Sequence, residues 1–386
     1  MRKLAVLLLL PLVAVGCSRG PAAQGTASAA ATASSSPTSP APASPPPVPT
    51  GELLYAVLEP WPTAGPSTFN KVAIAGLDGI ARAKTTFTPL TPPFVGCAGP
   101  TPPPQAYAVG GKVYFADGAG TVRSLDRSGA ISVLASFPIG AQQELSFAVS
   151  PDATRLLATV LTLPPKPAGD PCSSPTAFGP GSFVVDTYSV SFGSTPKLLD
   201  HQSTPYVAGQ PLPPVLQFMG WDAVGPTALY PTGLGTQGGG PTHWFGHPVR
   251  TDTAGRPLGD LGGAGCNATD DGLDGTVACA GPNGTDVKRP DGSVAWHSAN
   301  SLLAGRLSPD GRKVVGFGDQ GQVVVGADGS TMDLFGEFFV TGWLDPSTLI
   351  GNFNGGEVGI QQIAPTTPKP GDQGYAGVFV GVVQHP

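Results

Sequence analysis

The feature that most constrains this chain is a short β unit that recurs along residues 51–386. Its clearest copy runs from Leu307 to Asp333. The turn Ser308-Pro309-Asp310-Gly311 opens it, because proline presets φ, aspartate accepts a local hydrogen bond and glycine tolerates positive φ. Three strands are predicted after it, at Lys313 to Gly318, Gln322 to Gly326 and Ser330 to Phe335. One such unit cannot bury both faces of its sheet, so it predicts neighbouring copies.

The copies are marked by a glycine that lies between two apolar runs, usually close to an aspartate. These glycines are Gly79, Gly129, Gly193, Gly255, Gly292, Gly329 and Gly371. Their successive intervals are 50, 64, 62, 37, 37 and 42 residues, and four of the six match one four-stranded blade. The pattern predicts an all-β fold with seven blades, with six or eight as alternatives.

The Ser-Pro-Asp-Gly turn and its setting resemble the PD40 repeats, also described as TolB-like and WD40-like, of β-propellers. Ser150-Pro151-Asp152-Ala153 is a second copy in which alanine replaces glycine. The resemblance implies a β-propeller over residues 51–386. The predicted blades are 51–90, 105–140, 145–200, 215–262, 264–300, 304–337 and 338–384. The first holds only three clear strands, and Tyr375 to Val383 is one candidate for its missing innermost strand.

Residues 1–17 form a processing segment, with Arg2 and Lys3 before an apolar stretch and small residues before Cys17. The segment resembles a bacterial lipoprotein signal, which implies a diacylated, palmitate-type anchor on Cys17. An ordinary secretory peptide cleaved nearby is the alternative. Both interpretations take the chain out of the cytoplasm, and the lipoprotein interpretation places it on the extracytoplasmic face of the cell membrane.

Residues 18–50 consist almost only of Ala, Ser, Pro, Gly and Thr and cannot bury a core, which predicts a disordered tether. Four cysteines remain beyond Cys17, an even number for an oxidising compartment. Cys266 and Cys279 are equidistant from Gly272-Leu273 in a predicted hairpin, so we expect them to pair. That pairing leaves Cys97 with Cys172.

Long Pro- and Gly-rich connections are expected on one face of the propeller, because tight Asp-Gly turns occupy the other class of connection. They are residues 59–70, 90–105, 163–181, 201–214 and 232–242. A binding rim is therefore predicted there, and its candidate residues are Trp61, Phe94, His201, Tyr206, His243 and Trp244. The alternative is that these loops are tolerated drift in a composition rich in Gly and Pro.

Metal and catalytic signals are weak, so no cofactor, metal ligand or catalytic residue is predicted. His243 and His247 would lie about 13 Å apart on a strand. Asp270, Asp271 and Asp274 do not have the EF-hand spacing, and Asp-Gly pairs are typical of hairpin turns. No G-x-S-x-G nucleophile motif occurs. The net charge of −6 shows no basic patch and argues against a nucleic-acid partner.

The sequence therefore favours a non-enzymatic protein. The expected function is a membrane-anchored binding or scaffolding module for a protein or a cell-envelope glycan. The alternative is an extracytoplasmic metal-dependent hydrolase or lyase with its site in the central channel. Carboxylates converging on the channel would favour the enzyme, whereas an exposed aromatic patch on the loop rim would favour the binder.

Overall fold

The structure is a computed structural model, and it describes residues 51–59, 69–90, 105–165, 178–207, 215–236, 242–319, 321–334, 338–353, 358–362 and 377–384. For residues 231–236, 242–245, 353, 358–359 and 361–362 the description covers the backbone only. The described residues contain β-strands and turns and no helix. Consequently they include no helix long and apolar enough to cross a bilayer.

The chain forms the following strands, in order: β1 (Leu54–Glu59), β2 (Lys71–Gly76), β3 (Ala81–Thr86), β4 (Ala106–Val109), β5 (Lys112–Ala116), β6 (Thr121–Asp126), β7 (Ile131–Ser136), β8 (Gln143–Val149), β9 (Arg155–Thr162), β10 (Ser182–Ser191), β11 (Lys197–Pro205), β12 (Gln217–Trp221), β13 (Pro226–Thr236), β14 (Thr242–Thr251), β15 (Pro257–Asp260), β16 (Asn267–Asp271), β17 (Val277–Gly281), β18 (Gly284–Lys288), β19 (Val294–Ser298), β20 (Leu303–Leu307), β21 (Lys313–Gly318), β22 (Gly321–Gly326), β23 (Thr331–Asp333), β24 (Phe338–Asp345), β25 (Thr348–Phe353), β26 (Val358–Gln362) and β27 (Val378–Gln384).

These strands make six four-stranded antiparallel sheets and one three-stranded sheet. We name them A (β27-β1-β2-β3), B (β4 to β7), C (β8 to β11), D (β12 to β15), E (β16 to β19), F (β20 to β23) and G (β24 to β26). Most neighbouring sheets contact each other through their innermost strands, sheet D contacts sheet E through β14 and β16, and β24 of sheet G contacts β27 of sheet A. The fold is a β-propeller, as the sequence predicts.

The ring is closed by the C-terminal strand. β27 is the innermost strand of sheet A and pairs antiparallel with β1, with Val57 opposite Phe379. The candidate closure from Tyr375 to Val383 is therefore confirmed. The predicted last blade, residues 338–384, was too long, because its C-terminal strand belongs to the first sheet. This arrangement joins the two ends of the domain by backbone hydrogen bonds rather than leaving an open sheet edge.

The core lies between adjacent sheets, which explains the sequence pattern of the strands. The second strand of sheet A, β1, is a nearly continuous apolar run buried on both faces, whereas the outer strands β11 and β15 are largely exposed. Continuous apolar runs are expected where both faces of a sheet are covered. The cluster between sheets D and E is small and contains Leu261, Val277 and Cys279.

The turn chemistry follows the predicted repeat. Six of the seven marker glycines occupy the turn between the third and fourth strand of a sheet, and their φ values run from 69° at Gly79 to 87° at Gly129. The seventh, Gly371, lies outside the described residues. In the Ser-Pro-Asp turns, Ser308 Oγ donates to Asp310 Oδ1 at 2.6 Å, and Ser150 Oγ donates to Asp152 Oδ1 at 2.5 Å. Both turns join the first and second strands of their sheets.

Candidate functional site

The connections of the propeller are sorted between two faces. We call the face with the turns between first and second and between third and fourth strands the turn face, and the opposite one the loop face. Five long connections are predicted for a rim, and all five join strand ends on the loop face. They are 59–70, 90–105, 163–181, 201–214 and 232–242, of which residues 201–205 belong to strand β11. The assignment of the long connections to one face is confirmed.

The loop face carries an exposed apolar patch at the start of sheets F and G. It consists of Leu303, Phe317 and Phe339, whose exposed fractions are 65%, 37% and 47%. Leu303 and Phe317 are register partners on β20 and β21, and the rings of Phe317 and Phe339 lie 6.3 Å apart. We call these three residues the apolar patch. Three large apolar side chains in contact and open to water form a surface suited to a partner.

The predicted rim residues have different outcomes. Trp61 and Phe94 lie outside the described residues, as do Cys17, Cys97 and Cys172. His243 and Trp244 lie near the start of β14, which begins on the loop face, and their backbones pair with Gly235 and Leu234.

Two rim predictions were wrong about the environment of the side chain. His201 lies in the middle of the outer strand β11 and not in a loop, and its Nδ1 is 2.6 Å from Asp186 Oδ1 across the strand pair. Tyr206 follows β11, but its ring packs edge-on against Phe178 at 5.2 Å and against Phe183 at 6.1 Å. The Tyr206 ring, which the sequence suggested as a binding residue, therefore packs within the protein against other aromatic rings.

A disulfide joins Cys266 and Cys279, with 5.0 Å between their Cα atoms. The pair is not directly opposite in the hairpin, because the turn is centred about one residue later than predicted and Ala268 faces Cys279. Cys266 instead precedes β16, in a link that turns back through the backbone hydrogen bond from Cys266 to Gly263. The disulfide thus ties the link between sheets D and E to β17, where the apolar core between these sheets is small.

A carboxyl cluster lies on the turn face, at the C-terminal end of β16. Asp270 and Asp271 are adjacent in the chain and interact with different neighbours. Asp270 Oδ2 accepts from the Leu307 backbone N–H at 2.7 Å, and its Oδ1 lies 3.5 Å from Arg306 Nη1. Asp271 senses the charges of Asp222 and Arg250 in sheet D. We call Asp222, Asp270 and Asp271 the carboxyl cluster.

Burial within the surrounding protein raises the pKa of both carboxyls on β16. For Asp271 burial is the largest cause, the charges of Asp270 and Asp222 add to it, and the pKa rises to about 7. For Asp270 burial raises the pKa although Arg306 and the Leu307 amide favour the ionised form. Both residues nevertheless remain partly exposed to solvent. A carboxyl with a pKa near neutrality can carry or release a proton under ordinary conditions.

Asp222 is fixed by a different set of contacts. Its Oδ1 accepts from the backbone amides of Val224 at 2.8 Å and Gly225 at 3.0 Å, and from Arg250 Nη1 at 2.5 Å. Its Oδ2 is buried without a hydrogen-bond partner in the described structure. The charge of Asp222 contributes to the raised pKa of Asp271.

A glutamine connects the inner strands on the other side of the channel. Gln105 Nε2 donates to Tyr107 Oη at 2.5 Å and to the Phe218 carbonyl, and its Oε1 accepts from the Phe147 N–H at 2.7 Å. Burial, and secondarily the charge of Asp271, raise the pKa of Tyr107 well above its usual value. Sheets B, C and D are therefore joined by one partly buried amide.

Sequence reasoning did not identify Gln105, Tyr107, the Arg306 contact or the apolar patch. A polar residue in or beside a predicted innermost strand could have indicated such contacts. Which innermost strands lie close together, however, is known only from the closed propeller. The calcium interpretation of Asp274 has no support, because both its oxygens accept from Thr276 within the same turn. Among the described residues no group of three or more His, Cys, Asp or Glu side chains could hold a metal ion.

No protein-family model matches the chain. No curated protein matches it either. Similar solved structures include the Dos1 propeller, with 11% identity over 87% of this chain and 85% of that one at a TM-score of 0.39. TolB from Acinetobacter baumannii is 14% identical over 72% of this chain and 62% of its own, with a TM-score of 0.34. An oligogalacturonate lyase from Vibrio parahaemolyticus is 11% identical over 83% and 90%, with a TM-score of 0.43. At these identities the likeness concerns the fold alone.

Proposed function

We propose that this protein is a membrane-anchored binding module on the extracytoplasmic face of the cell membrane. In this proposal the loop face binds a protein or a cell-envelope glycan. The observation that carries it is the apolar patch, which lies exposed on the face where all five long connections end. Binding surfaces of this kind combine a rigid scaffold with loops and a few apolar anchors.

The binding energy would come from removing the patch from water. Each large apolar side chain contributes about 1.5–3 kcal/mol when fully buried, so three half-exposed ones contribute roughly 3 kcal/mol together. Because 1.4 kcal/mol corresponds to about a tenfold change in affinity, removing the patch should weaken binding by about a hundredfold. The closed ring keeps the patch preorganised, since Phe317 and Phe339 sit on paired strands rather than in loops.

The anchor is proposed from the sequence. Lipid on Cys17 and the tether of residues 18–50 would hold the propeller up to roughly 100 Å from the membrane if the tether is extended at about 3.1 Å per residue. Labelled palmitate should enter the full-length protein in its bacterial host, and Cys17→Ala should abolish both the label and the membrane fraction. Unchanged sedimentation with membranes in the Cys17→Ala variant would contradict the proposed anchor.

The binding test compares two sets of substitutions on opposite faces. Leu303→Ser, Phe317→Ser and Phe339→Ser together remove the apolar patch, whereas Leu273→Ser and Val224→Ser remove exposed apolar residues of the turn face. Leu273 and Val224 are 70% and 50% exposed, which makes them a matched control. The purified proteins are titrated against isolated cell walls and against immobilised envelope proteins. We expect the patch variant alone to lose binding; equal binding by all three proteins would refute the proposal.

A second candidate function is supported by the carboxyl cluster. Asp271, with a pKa of about 7, would act as a general acid toward a substrate that enters the channel from the turn face, and Asp270 would tune it. This is the hydrolase or lyase alternative. Elemental analysis, with melting curves before and after a chelator, tests whether that activity needs a metal. One stoichiometric divalent ion, with a melting temperature that falls on chelation, would favour the enzyme.

We also propose that the three-stranded sheet G counts as a blade. Together with the six four-stranded sheets it gives the seven units that the glycine repeat predicts. The marker Gly371 supports this count, because its spacing from Gly329 matches one blade.

A further inference from the structure

An open cleft of about 720 Å³ lies between sheets A and B. One wall is the end of the edge strand β3 and the residues that follow it, and the other is the β5–β6 turn with β6 and β7. Phe115 lies at its base and is only 1% exposed, and the ring of Phe87 packs on it at 5.1 Å. The residues of the cleft belong to sheets A and B, whereas those of the carboxyl cluster belong to sheets D and E.

Arg123 lines the cleft, and its guanidinium is held in place by an aspartate. Arg123 Nε donates to Asp117 Oδ2 at 2.7 Å. Asp117 is 8% exposed, and its other oxygen accepts from the backbone amides of Ala119 and Thr121, both at 3.0 Å. The terminal nitrogens of Arg123 have no hydrogen-bond partner among the described residues. The anchored side chain thus presents a fork of N–H donors to the cleft.

Neutral polar groups surround this guanidinium. Four residues with polar side chains line the cleft beside it, namely Asn70, Thr85, Thr86 and Thr88. The hydroxyls of Thr86 and Thr88 make no hydrogen bond within the described structure. Ile131, 47% exposed, adds an apolar surface on the opposite wall. The cleft therefore combines one cationic fork, several groups that can both donate and accept, and a limited apolar surface.

We propose that this cleft binds a short oligosaccharide that carries a carboxylate. The planar fork of Arg123 matches the two oxygens of a carboxylate. Threonine hydroxyls and an asparagine amide match sugar hydroxyls, which also donate and accept. Ile131 and the edge of Phe87 match the apolar faces of sugar rings. An acidic peptide fits less well, because the cleft offers hydroxyls in place of apolar pockets for side chains. The proposal rests on the proposed function, since it specifies the glycan partner as acidic.

The test measures binding of a disaccharide that contains one glucuronate to the full-length protein by calorimetry. The same disaccharide with glucose in place of glucuronate is the neutral probe, and a glutamate-rich peptide and inorganic phosphate are competitors. Arg123→Gln removes the fork. Arg256→Gln is the matched control, because Arg256 makes the same Nε contact with an aspartate, Asp252, at 2.8 Å and lies in sheet D, outside the cleft. Thr86→Val removes one hydroxyl and leaves the Asp117 contacts intact.

We expect the acidic disaccharide to bind at least tenfold more tightly than the neutral one. Arg123→Gln should weaken binding about tenfold and Thr86→Val about threefold, whereas Arg256→Gln should leave it unchanged. Absence of binding at millimolar concentration, equal binding of the two disaccharides, or tighter binding of the peptide or of phosphate would overturn the proposal. If only the patch variant loses cell-wall binding and the disaccharide does not bind, the proposed function stands and this inference fails.

Discussion

Asp271 gives the sharpest test of the carboxyl cluster, because its substitution should stabilise the protein in a way that depends on pH. The pKa of about 7 in the folded chain lies above the ordinary value of 3.8. Between these two pH values the folded protein binds more protons than the unfolded one, so stability falls as pH rises from about 4 to about 7. Above that window the full cost of the buried charge is present.

The magnitude follows from the two pKa values. Their difference corresponds to about 4 kcal/mol at about 1.4 kcal/mol for each pH unit, and partial exposure to solvent lowers this ceiling to roughly 2–4 kcal/mol. Asp271→Asn keeps the shape of the side chain and removes the charge. The free energy of unfolding should therefore rise by roughly 2–4 kcal/mol at pH 8 and change little at pH 4, where the carboxyl is protonated in the folded state.

Urea unfolding followed by tryptophan fluorescence at several pH values measures this effect. Asp319→Asn is the control, because Asp319 is exposed and makes no hydrogen bond in the described structure. It should shift the free energy by less than about 0.5 kcal/mol at every pH. A destabilised Asp271→Asn variant at pH 8, or a stabilisation of the same size at pH 4 and pH 8, would refute the reasoning.

Three further predictions concern stability. Gly342→Ala should lower the free energy of unfolding by about 1–3 kcal/mol, because a Cβ there would overlap the Phe379 ring of the closing strand. Replacing Cys266 and Cys279 by serine should cost about 3 kcal/mol, since the disulfide closes a loop of 13 residues. Burial opposes ionisation of Asp117, but hydrogen bonds from Arg123 and two backbone amides outweigh it and lower the pKa. Asp117→Asn should therefore cost about 1–2 kcal/mol at pH 7, and the difference should shrink as pH falls below about 4.

Each of these is measured by chemical unfolding with its own comparison. Gly140→Ala is the control for ring closure, because the nearest atom to its Cβ belongs to the flexible Gln143 side chain at 3.4 Å. Equal effects at the two glycines would contradict the packing argument. For the disulfide, reductant should destabilise the native protein and leave the double serine variant unchanged. For Asp117, a loss of stability that persists unchanged at pH 3 would show that ionisation is not its cause.

The turns show what local sequence can predict in this protein. Ser308-Pro309-Asp310-Gly311 folds as its residues require, and the strands after it lie within about two residues of their predicted bounds. The marker glycines predict their turns for the same reason, because positive φ is tolerated by glycine with no need of distant contacts. Both signals depend on interactions between residues a few positions apart.

Contacts between distant residues behave differently. The Cys266–Cys279 pair could be proposed from spacing, yet the register of its hairpin depends on an irregularity between Ala268 and Asp270. His201 looks like a loop residue in sequence, but β11 continues through it because β10 offers a long partner. One residue of shift reverses which face a strand side chain occupies, so register errors change the environment of every later residue.

The sequence by itself determined the repeat, the all-β class and the face on which the long connections lie, because these follow from period, turn chemistry and strand order. Only the tertiary structure decided that the C-terminal strand completes the first sheet. It also decided which innermost strands meet at the channel. Asp271 is an ordinary aspartate beside a turn until Asp222 and Asp270 are placed around it, and Leu303, Phe317 and Phe339 become one patch only when sheets F and G are adjacent. Burial and proximity are properties of the closed ring, and the repeat unit does not contain them.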